Sequence, residues 1–150
     1  LGAAGYRHYE VSNFALPGRQ ARHNLVYWEL LPYLGLGNAA HSYRHPLRRW
    51  NLREWEAYEE AIREGRSPVQ STEELTLEQT RLERIWLGLR TERGLSTRDL
   101  PGAARARMGA WILSGLAEDV EGGIRLTPRG WLLLDRLAVE LDGAWEEKER

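Results

Sequence analysis

Hydrophobic and polar positions change their period along the chain, and these changes predict the order of its elements. Aromatic and β-branched residues in "YRHYEVS" predict a strand over residues 6–12, after the tail of a helix that ends at Gly5. After a Pro–Gly loop, the pattern predicts a short helix that Asn24 caps and that ends before Pro32. "YLGLG", residues 33–37, then predicts a short buried strand whose glycines admit another backbone or a ligand.

The middle of the chain predicts one helix between two polar segments. Residues 38–49, "NAAHSYRHPLRR", are predicted to form a loop with clustered His and Arg side chains. Asn51 and Glu54 are spaced as a capping box, and Gly65 ends the helix that they begin. Four residues give this helix an apolar stripe: Leu52, Trp55, Tyr58 and Ile62. Residues 65–76, "GRSPVQSTEELT", predict a polar connection and the best domain boundary in the chain.

The part of the chain beyond this connection begins with a second helix signal. Thr76 and Gln79 form a capping box for a helix that ends near Gly94. Four apolar residues are expected to line this helix: Leu82, Ile85, Trp86 and Leu89. Ser96 with Asp99 predicts a short helical turn after it.

A hairpin between two further helices completes the pattern. A helix is predicted over residues 103–114, and its inward residues are Met108, Trp111 and Ile112. Strands over residues 116–120 and 124–126 flank "EGG", which is a hairpin signal. Thr127 caps and Pro128 opens a last helix, with Trp131, Leu134, Leu137 and Leu141 on one face. Helix, short helix, helix, hairpin and helix resemble a winged-helix arrangement.

Composition narrows the class of protein. The chain is 42% hydrophobic and 29% charged, which is typical of a folded soluble protein and too apolar for intrinsic disorder. No apolar run approaches the roughly 20 residues that span a bilayer, and none suggests an export signal. The chain has no cysteine, which excludes disulfides, thiolate zinc sites and cysteine-ligated clusters within it. The last five residues, "EEKER", are predicted to be solvated.

The stretch "RHNLVYW", residues 22–28, carries the most chemistry for its length. A neutral imidazole at His23 can ligate heme iron or donate a proton. Tyr27 and Trp28 offer flat faces to a planar macrocycle, and nearby arginines offer partners for carboxylates. The alternative is structural: His23 and Asn24 cap a turn while the two aromatic side chains fill a core. Spacing alone favours this structural alternative.

Two other groups of residues are candidates for chemistry. His41 and His45 have no third ligand at a fixed spacing, so the residues predict no zinc site there. A solvated basic loop is the simpler interpretation. The functional alternative is an anion site that includes the neighbouring arginines, Arg44, Arg48 and Arg49. Glu10, which follows the first strand, is a candidate for a buried carboxylate.

The winged-helix pattern raises nucleic-acid binding as a separate class of function. Arg105 and Arg107 lie on the early turns of the third helix, where a recognition helix contacts bases or phosphates. The net charge of the chain is −1, and residues 66–150 are net negative, which counts against a phosphate backbone as partner. Likeness of fold is a weak argument for function, so no nucleic-acid partner is expected.

Three motifs, taken in their order and spacing, resemble one family. "GYRHYEVSNFALPG", "RHNLVYW" and "YLGLGNAAHS" resemble the later part of radical S-adenosylmethionine (SAM) proteins related to oxygen-independent coproporphyrinogen III oxidase. They resemble the HemW-type heme chaperones more closely, because "HNLVYW" matches the HNxxYW signature that separates this type from the true oxidase. "WLGLRTERGLS" and "IRLTPRGWLLLD" look like the family's C-terminal domain. The resemblance covers nearly the whole chain.

The resemblance implies an α/β fold class in two domains. Residues 1–65 would form the last strands of a partial radical-SAM α/β barrel. Residues 66–150 would form a HemN-type C-terminal domain, mainly α with a β-hairpin and winged-helix-like. The family's CxxxCxxC loop, which binds a four-iron four-sulfur cluster, and its SAM motif would lie upstream of this chain. No metal ligand is therefore expected here, and the chain alone is not expected to be catalytic.

The resemblance also implies which residues bind ligands. The signature histidine of the HemW type, a proposed heme ligand, corresponds to His23, and the motif is completed by Asn24, Tyr27 and Trp28. Positions that line or adjoin the SAM region correspond to Ala15, Gly35, Gly37 and His41. Ala15 and His41 are each expected to follow a barrel strand, where ligands of such barrels sit. The family usually has glycine where this chain has Ala39, so a positive φ at that residue would strain the loop.

The function implied is that of a cytoplasmic heme chaperone, which binds heme and delivers it to respiratory proteins. SAM and the iron–sulfur cluster would be bound by the missing N-terminal part, and peripheral membrane association is left open. The enzyme alternative is oxygen-independent oxidative decarboxylation of coproporphyrinogen III. A winged-helix nucleic-acid-binding module is the third alternative. The "HNLVYW" motif separates the first two.

Overall fold

The computed structural model describes residues 1–98 and 100–146 of the chain. Ser96, predicted to start a short helical turn with Asp99, lies in a strand instead. Asp99 and residues 147–150 of the predicted solvated end lie outside the described residues. Contacts divide the chain into two compact units. The first unit comprises residues 1–29 and 81–150, and the second unit comprises residues 30–80. This grouping differs from the division at residue 65, which stays a prediction about domains.

The described residues form both strands and helices, so the mixed α/β class is confirmed. The strands are β1 (Arg7–Glu10), β2 (Asn13–Ala15), β3 (His41–Arg44), β4 (Leu47–Asn51), β5 (Val69–Glu74), β6 (Leu95–Ser96), β7 (Ala117–Val120) and β8 (Gly123–Leu126). The helices are α1 (Arg22–Trp28), α2 (Trp55–Arg63), α3 (Leu77–Arg90), α4 (Gly102–Leu113), α5 (Pro128–Trp131) and α6 (Leu134–Glu146).

The hydrophobic core lies in the first unit, around an antiparallel sheet of order β6–β8–β7. Helices α3, α4 and α6 supply its largest apolar side chains, including Ile85, Leu89, Trp111, Leu137 and Leu141. Trp131 of α5 is also buried, and its Nε1–H donates to the Leu89 carbonyl at 2.9 Å. A buried indole needs such a partner because an unpaired buried donor is costly.

The β1–β2 hairpin belongs to the same unit and is tied to the end of α3. Its strands are antiparallel, with Arg7 opposite Ala15. The Val11 N–H donates to the Arg90 carbonyl at 3.2 Å, and the Glu92 N–H donates to the Tyr9 carbonyl at 3.0 Å. These backbone bonds fix the hairpin against α3 near Arg90.

The second unit is an antiparallel sheet, β3–β4–β5, with helix α2. His41 lies opposite Trp50, and Trp50 lies opposite Ser71. Tyr33 and Tyr43 exchange two backbone hydrogen bonds of 2.9 Å, which hold the preceding segment against β3.

Several local sequence signals are confirmed. The Thr76 N–H donates to Gln79 Oε1 at 2.8 Å and the Gln79 N–H donates to Thr76 Oγ1 at 3.2 Å, which is the predicted capping box of α3. Thr127 Oγ1 accepts from the Gly130 N–H at 3.2 Å at the start of α5. The hairpin around "EGG" forms from β7 and β8. Each of these signals depends on residues close in sequence, which is why it survives in the fold.

The predicted starts of the two earlier helices are wrong. Helix α1 begins at Arg22 after an extended Ala21, so Asn24 lies inside the helix and does not cap it. Helix α2 begins at Trp55, so Asn51 does not cap it. Asn51 is instead the last residue of β4. The Asn51 Nδ2–H donates to the Gly37 carbonyl at 2.8 Å, so the side chain bonds to a residue distant in sequence instead of to the start of a helix.

The predicted apolar faces are wrong in part. Trp55 is 55% exposed and Ile62 is 53% exposed, while Ala61 is the fully buried residue of α2. Leu82 of α3 and Ile112 of α4 are also exposed rather than inward. A helical period locates an apolar stripe, but its centre depends on the surface against which the helix packs.

Three predictions about strands and loops are wrong. Residues 33–37 form no strand: Tyr33 makes a single bridge, and Leu36 is 82% exposed. Residues 38–49 are not a loop throughout, because β3 and the start of β4 form a hairpin there. The connection over residues 65–76 contains β5, which pairs with β4. Pairing with a strand distant in sequence overrides the polar composition of these segments.

The winged-helix arrangement and the partial barrel remain predictions. Each of the three sheets in the described part of the chain is antiparallel, with two or three strands. Within the same residues, no helix is both long and apolar enough to cross a membrane.

Candidate functional site

The candidate site is built on helix α1, which one aromatic residue holds near both ends. Tyr9 is buried, and its hydroxyl oxygen accepts from the Ala21 N–H at 3.3 Å, just before the helix starts. The ring of Tyr9 lies 6.0 Å from the ring of Trp28, the last helical residue. Glu29, which follows Trp28, is ion-paired with Arg93. The helix is therefore fixed by contacts within the first unit.

A buried ion pair supports the inner face of α1. Glu10 is 0% exposed and ion-paired with Arg90. Glu10 Oε2 also accepts from the Ser12 N–H at 3.0 Å and from Asn13 Nδ2–H at 2.5 Å. The expectation that Glu10 is a buried carboxylate is confirmed, and its hydrogen bonds and ion pair provide the compensation that a buried charge requires.

The guanidinium of Arg90 connects this ion pair to two indole rings. Its Cζ lies 5.9 Å from the centroid of Trp28 and 5.2 Å from that of Trp86. Both distances fall within the range of cation–π attraction. Trp28 is consequently partly buried against the end of α3, and its ring is not fully open for stacking on a ligand.

The outer face of α1 carries two exposed ring side chains. His23 and Tyr27 are both exposed, and they lie one turn apart on the helix. Tyr27 Oη and His23 Nε2 are 2.8 Å apart, and the two rings meet edge to face at 4.9 Å. The hydrogen bond holds the imidazole in one orientation relative to the helix.

The structural alternative for "RHNLVYW" is wrong for its cap and partly right for its core. Neither His23 nor Asn24 caps α1, because both residues lie inside the helix. The N-cap residue is Ala21, whose side chain makes no capping hydrogen bond. Tyr27 is 37% exposed and does not fill a core, whereas Trp28 is packed. An exposed histidine paired with a phenol can offer a nitrogen to a metal or exchange a proton.

Ala15, the first of the residues predicted to line a SAM region, lies in the first unit. It is the last residue of β2 and is buried opposite Arg7. Ala15 ends a strand instead of following one, and its place beside SAM stays a prediction. A buried methyl group can contribute shape to a neighbouring site but no polar contact.

Gly35, Gly37 and His41, the other three residues of that group, lie in the second unit. The two glycines make close contacts there with other residues of the chain. A Cβ on Gly35 would lie 2.1 Å from the His41 carbonyl oxygen, so the close approach that needs glycine is made by β3. The Gly37 N–H donates to the Tyr58 hydroxyl at 3.1 Å, and its carbonyl accepts from Asn51. Gly35 therefore admits another backbone, as the sequence predicted for these glycines, and the place of Gly35 and Gly37 in a SAM region stays a prediction.

His41 is the accessible member of the group, but its position differs from the expectation. It begins β3 instead of following a strand. Its ring stacks on Trp50 at 5.8 Å, and the side chain is exposed. Within residues 1–98 and 100–146, no group of three or more His, Asp or Glu side chains could hold a metal ion.

The loop before His41 confirms the expected backbone strain. Ala39 has φ 55°, in the left-handed region that glycine adopts without cost. The Ala39 N–H donates to the Leu52 carbonyl at 2.8 Å, which holds the residue in that conformation. The loop thus keeps the shape that glycine would favour although the residue is alanine.

Sequence reasoning missed the residues that fix α1, namely Tyr9, Arg90 and Trp86. Arg90 is 80 positions from Glu10, and no periodicity joins the two. One signal was available, because a buried glutamate requires a cationic or hydrogen-bonding partner. The sequence could therefore have predicted a partner for Glu10, although not which arginine it is.

Comparison with known proteins gives a consistent set of relatives. No family model matches the chain. The chain is 36% identical over 143 residues to the protein named heme chaperone HemW of Mycobacterium tuberculosis, covering 95% of this chain and 37% of that protein. The HemW protein of Bacillus subtilis is 34% identical over 141 residues, covering 89% of this chain and 37% of its own length. The chain thus spans little more than a third of the length of these curated relatives.

A solved structure adds the likeness of fold. Coproporphyrinogen III oxidase (HemN) from Escherichia coli, a radical SAM enzyme, matches with a TM-score of 0.65 over 95% of this chain and 38% of the enzyme. At 19% identity this likeness shows the fold alone. The curated relatives, which match nearly the whole of this chain, show that it belongs to the HemW-type family. The family resemblance predicted from the sequence is confirmed.

Proposed function

We propose that this chain is the part of a HemW-type heme chaperone that presents α1 to heme, with His23 as a ligand of the iron. The observation that carries the proposal is the division of α1 into two faces. Trp28 is packed on the inner face, whereas His23 and Tyr27 are accessible on the outer one. An accessible imidazole on an anchored helix is the arrangement that axial ligation of iron requires.

The heme would lie against the outer face of α1. Ligation through His23 Nε2 requires its hydrogen bond with Tyr27 to break or rearrange, because that nitrogen cannot hold both a hydrogen-bond partner and iron. The phenol ring would then lie beside the macrocycle edge. Asn24 is half-buried within the helix, so its contribution is to shape the face and not to ligate.

The finer parts of the function are proposals about the whole protein. Heme would be delivered to respiratory proteins, in a cytoplasmic setting or at a membrane surface. SAM and a four-iron four-sulfur cluster would belong to the whole protein, and since this chain has no cysteine, it would supply no thiolate to the cluster. His41 is the residue of this chain best suited to contact SAM, because its ring is exposed while Gly35 and Gly37 are engaged internally.

The two alternative functions have less support. Coproporphyrinogen oxidation is named for the HemN structure, whose likeness to this chain concerns the fold alone. For nucleic-acid binding, the proposed base contacts would need a free Arg105. That side chain donates to the Leu100 carbonyl at 3.1 Å and to the Arg98 carbonyl at 3.2 Å.

A titration of the chain with ferric heme tests the proposal. The wild-type chain is expected to bind weakly and to shift the Soret absorption band. His23→Ala should lower the affinity at least about tenfold, equivalent to about 1.4 kcal/mol, because an iron–nitrogen bond is lost.

His45→Ala is the matched control, because His45 is also exposed and lies outside α1. It is expected to bind heme as the wild type does. An equal loss in both variants would mean that heme associates with histidines without selecting α1, and the proposal would be wrong.

A further inference from the structure

The second unit contains a pocket of about 570 Å³ that the heme proposal does not use. One wall is a face of the β3–β4–β5 sheet, and the other is the segment of residues 32–34. The Tyr33–Tyr43 backbone bonds, both 2.9 Å, fix that segment to the sheet. The pocket is therefore built entirely from residues of one unit.

Strand register determines which side chains face the pocket. Ser42 lies opposite Arg49, and Arg49 lies opposite Thr72. Arg44 lies opposite Leu47, two residues along the same strands. Because side chains alternate between faces, these five share one face of the sheet, and all five line the pocket.

Arg44 and Arg49 lie on this face, whereas Arg48, which lies between them in the sequence, does not. Arg48 projects to the other face, where it pairs with Glu73 at 3.9 Å and lies 5.9 Å from the Tyr43 ring. Arg44 and Arg49 make no ion pair with any residue in the described part of the chain. The pocket lining includes no acidic residue among those described.

One carboxylate does lie on the same face, at its margin. Glu74 is opposite Leu47 in the register, is exposed, and is not part of the pocket wall. It forms no ion pair with Arg44 or Arg49 within residues 1–98 and 100–146. Two positive charges against one marginal negative charge leave this face with a net attraction for anions.

Apolar surface adjoins these two charges. Leu34 is 65% exposed and Leu47 is 46% exposed, and both line the pocket. Deeper in the wall, the Ser42 hydroxyl is buried and its oxygen accepts from the Gly35 N–H at 3.0 Å. Its own hydrogen is thus available as a donor toward the pocket.

We propose that this pocket binds a small amphipathic oxyanion, with its carboxylate or phosphate group at Arg44 and Arg49 and its apolar body against Leu34 and Leu47. Planar guanidinium groups match both kinds of oxyanion through paired hydrogen bonds. Leu34 and Leu47 expose apolar surface to water, so covering them with an alkyl or aromatic body lowers the free energy of the complex. The proposal is independent of heme binding at α1, since its residues lie in the second unit.

The test is a titration of the ¹⁵N-labelled chain, without heme, followed by NMR. Octanoate and octyl phosphate provide the two oxyanions on one apolar body, and the tighter of the two identifies the preferred group. Both are expected to shift the amide signals of β3, β4 and residues 32–34. Acetate, which lacks the body, and octylammonium, which reverses the charge, are expected to cause no such shifts.

Variants then separate the pocket from general surface charge. The double variant Arg44→Gln with Arg49→Gln should weaken octanoate binding by about tenfold or more. Arg53→Gln is the matched control, because Arg53 is an exposed arginine of the same unit outside the pocket, and it should change the affinity by less than about twofold. Absence of oxyanion binding at millimolar concentration, equal binding of octylammonium, or an equal effect of the control would overturn the proposal.

Discussion

At the scale of single residues, the two accessible groups of α1 are coupled to each other. The hydrogen bond of 2.8 Å between Tyr27 Oη and His23 Nε2 orients the imidazole, and it also occupies the nitrogen proposed to meet iron. The phenol therefore competes with the metal for the same nitrogen. The Tyr27 hydroxyl oxygen thus decides whether the His23 imidazole is held in this orientation.

Tyr27→Phe should therefore strengthen heme binding. The variant keeps the ring and removes a hydrogen bond worth about 1 kcal/mol, so the expected gain in affinity is about fivefold. Tyr6→Phe, an exposed tyrosine outside α1, should leave the affinity unchanged in the same heme titration. Weaker binding by Tyr27→Phe would mean that the phenol itself contacts heme.

Ala39 provides a second prediction at this scale. Its φ of 55° costs about 1–2 kcal/mol for a residue with a Cβ, and glycine would remove that cost. Part of the gain is offset because glycine makes the unfolded chain more flexible, by about 0.4–1 kcal/mol. Ala39→Gly should raise the free energy of unfolding by about 0.5 kcal/mol in a urea titration.

The neighbouring alanine is the control for this substitution. Ala40 has an ordinary negative φ, so Ala40→Gly brings only the flexibility of the unfolded chain and should lower stability by about 0.4–1 kcal/mol. If both substitutions lower stability equally, the strain assigned to Ala39 is absent.

At the scale of elements, α1 depends on the end of α3 and on the β1–β2 hairpin. The helix has seven residues, which is too short to be stable alone. Trp28 against Tyr9, and Arg90 between Trp28 and Trp86, provide the tertiary contacts that keep it helical. The buried Glu10–Arg90 pair therefore positions the candidate heme helix through its inner face.

Glu10→Gln tests this dependence. The substitution leaves the partly buried Arg90 without its counter-charge, which should lower the free energy of unfolding by about 3 kcal/mol. Tryptophan fluorescence should also change, because Trp28 and Trp86 both lie against Arg90. Glu140→Gln, which breaks an exposed pair with Arg136, should cost less than about 1 kcal/mol. Equal costs in the two variants would show that the buried pair has no special role.

At the scale of the whole molecule, the sequence predicted best where structure is local. The Thr76–Gln79 capping box, the Thr127 cap and the hairpin around "EGG" all depend on neighbours within a few residues. The family motifs identified the fold and relatives for the same reason, because they are short ordered patterns. His23 is an exception, because the sequence predicted it before the helix that Asn24 caps, whereas it lies inside α1.

What the sequence could not show depends on pairing across long distances. The polar stretch that contains β3, β4 and β5 has no clear alternation, because its strands carry Arg, His, Ser and Glu on faces that remain in contact with solvent. Their order is fixed by backbone pairing, which leaves no periodic hydrophobic signal. The ion pair of Glu10 with Arg90 is invisible in sequence for the same reason. The sequence grouped Arg44, Arg48 and Arg49 as an anion-site alternative, and the strand register is what separates Arg48 from the other two.

The most direct test of the central claim, that His23 of α1 ligates heme iron, is the coordination state of ferric heme on the chain. Electron paramagnetic resonance on the heme-loaded wild type and on His45→Ala should give the same histidine-coordinated signal. His23→Ala should lose that signal and shift its Soret band to the blue. An unchanged signal and unchanged heme stoichiometry in His23→Ala would contradict the account.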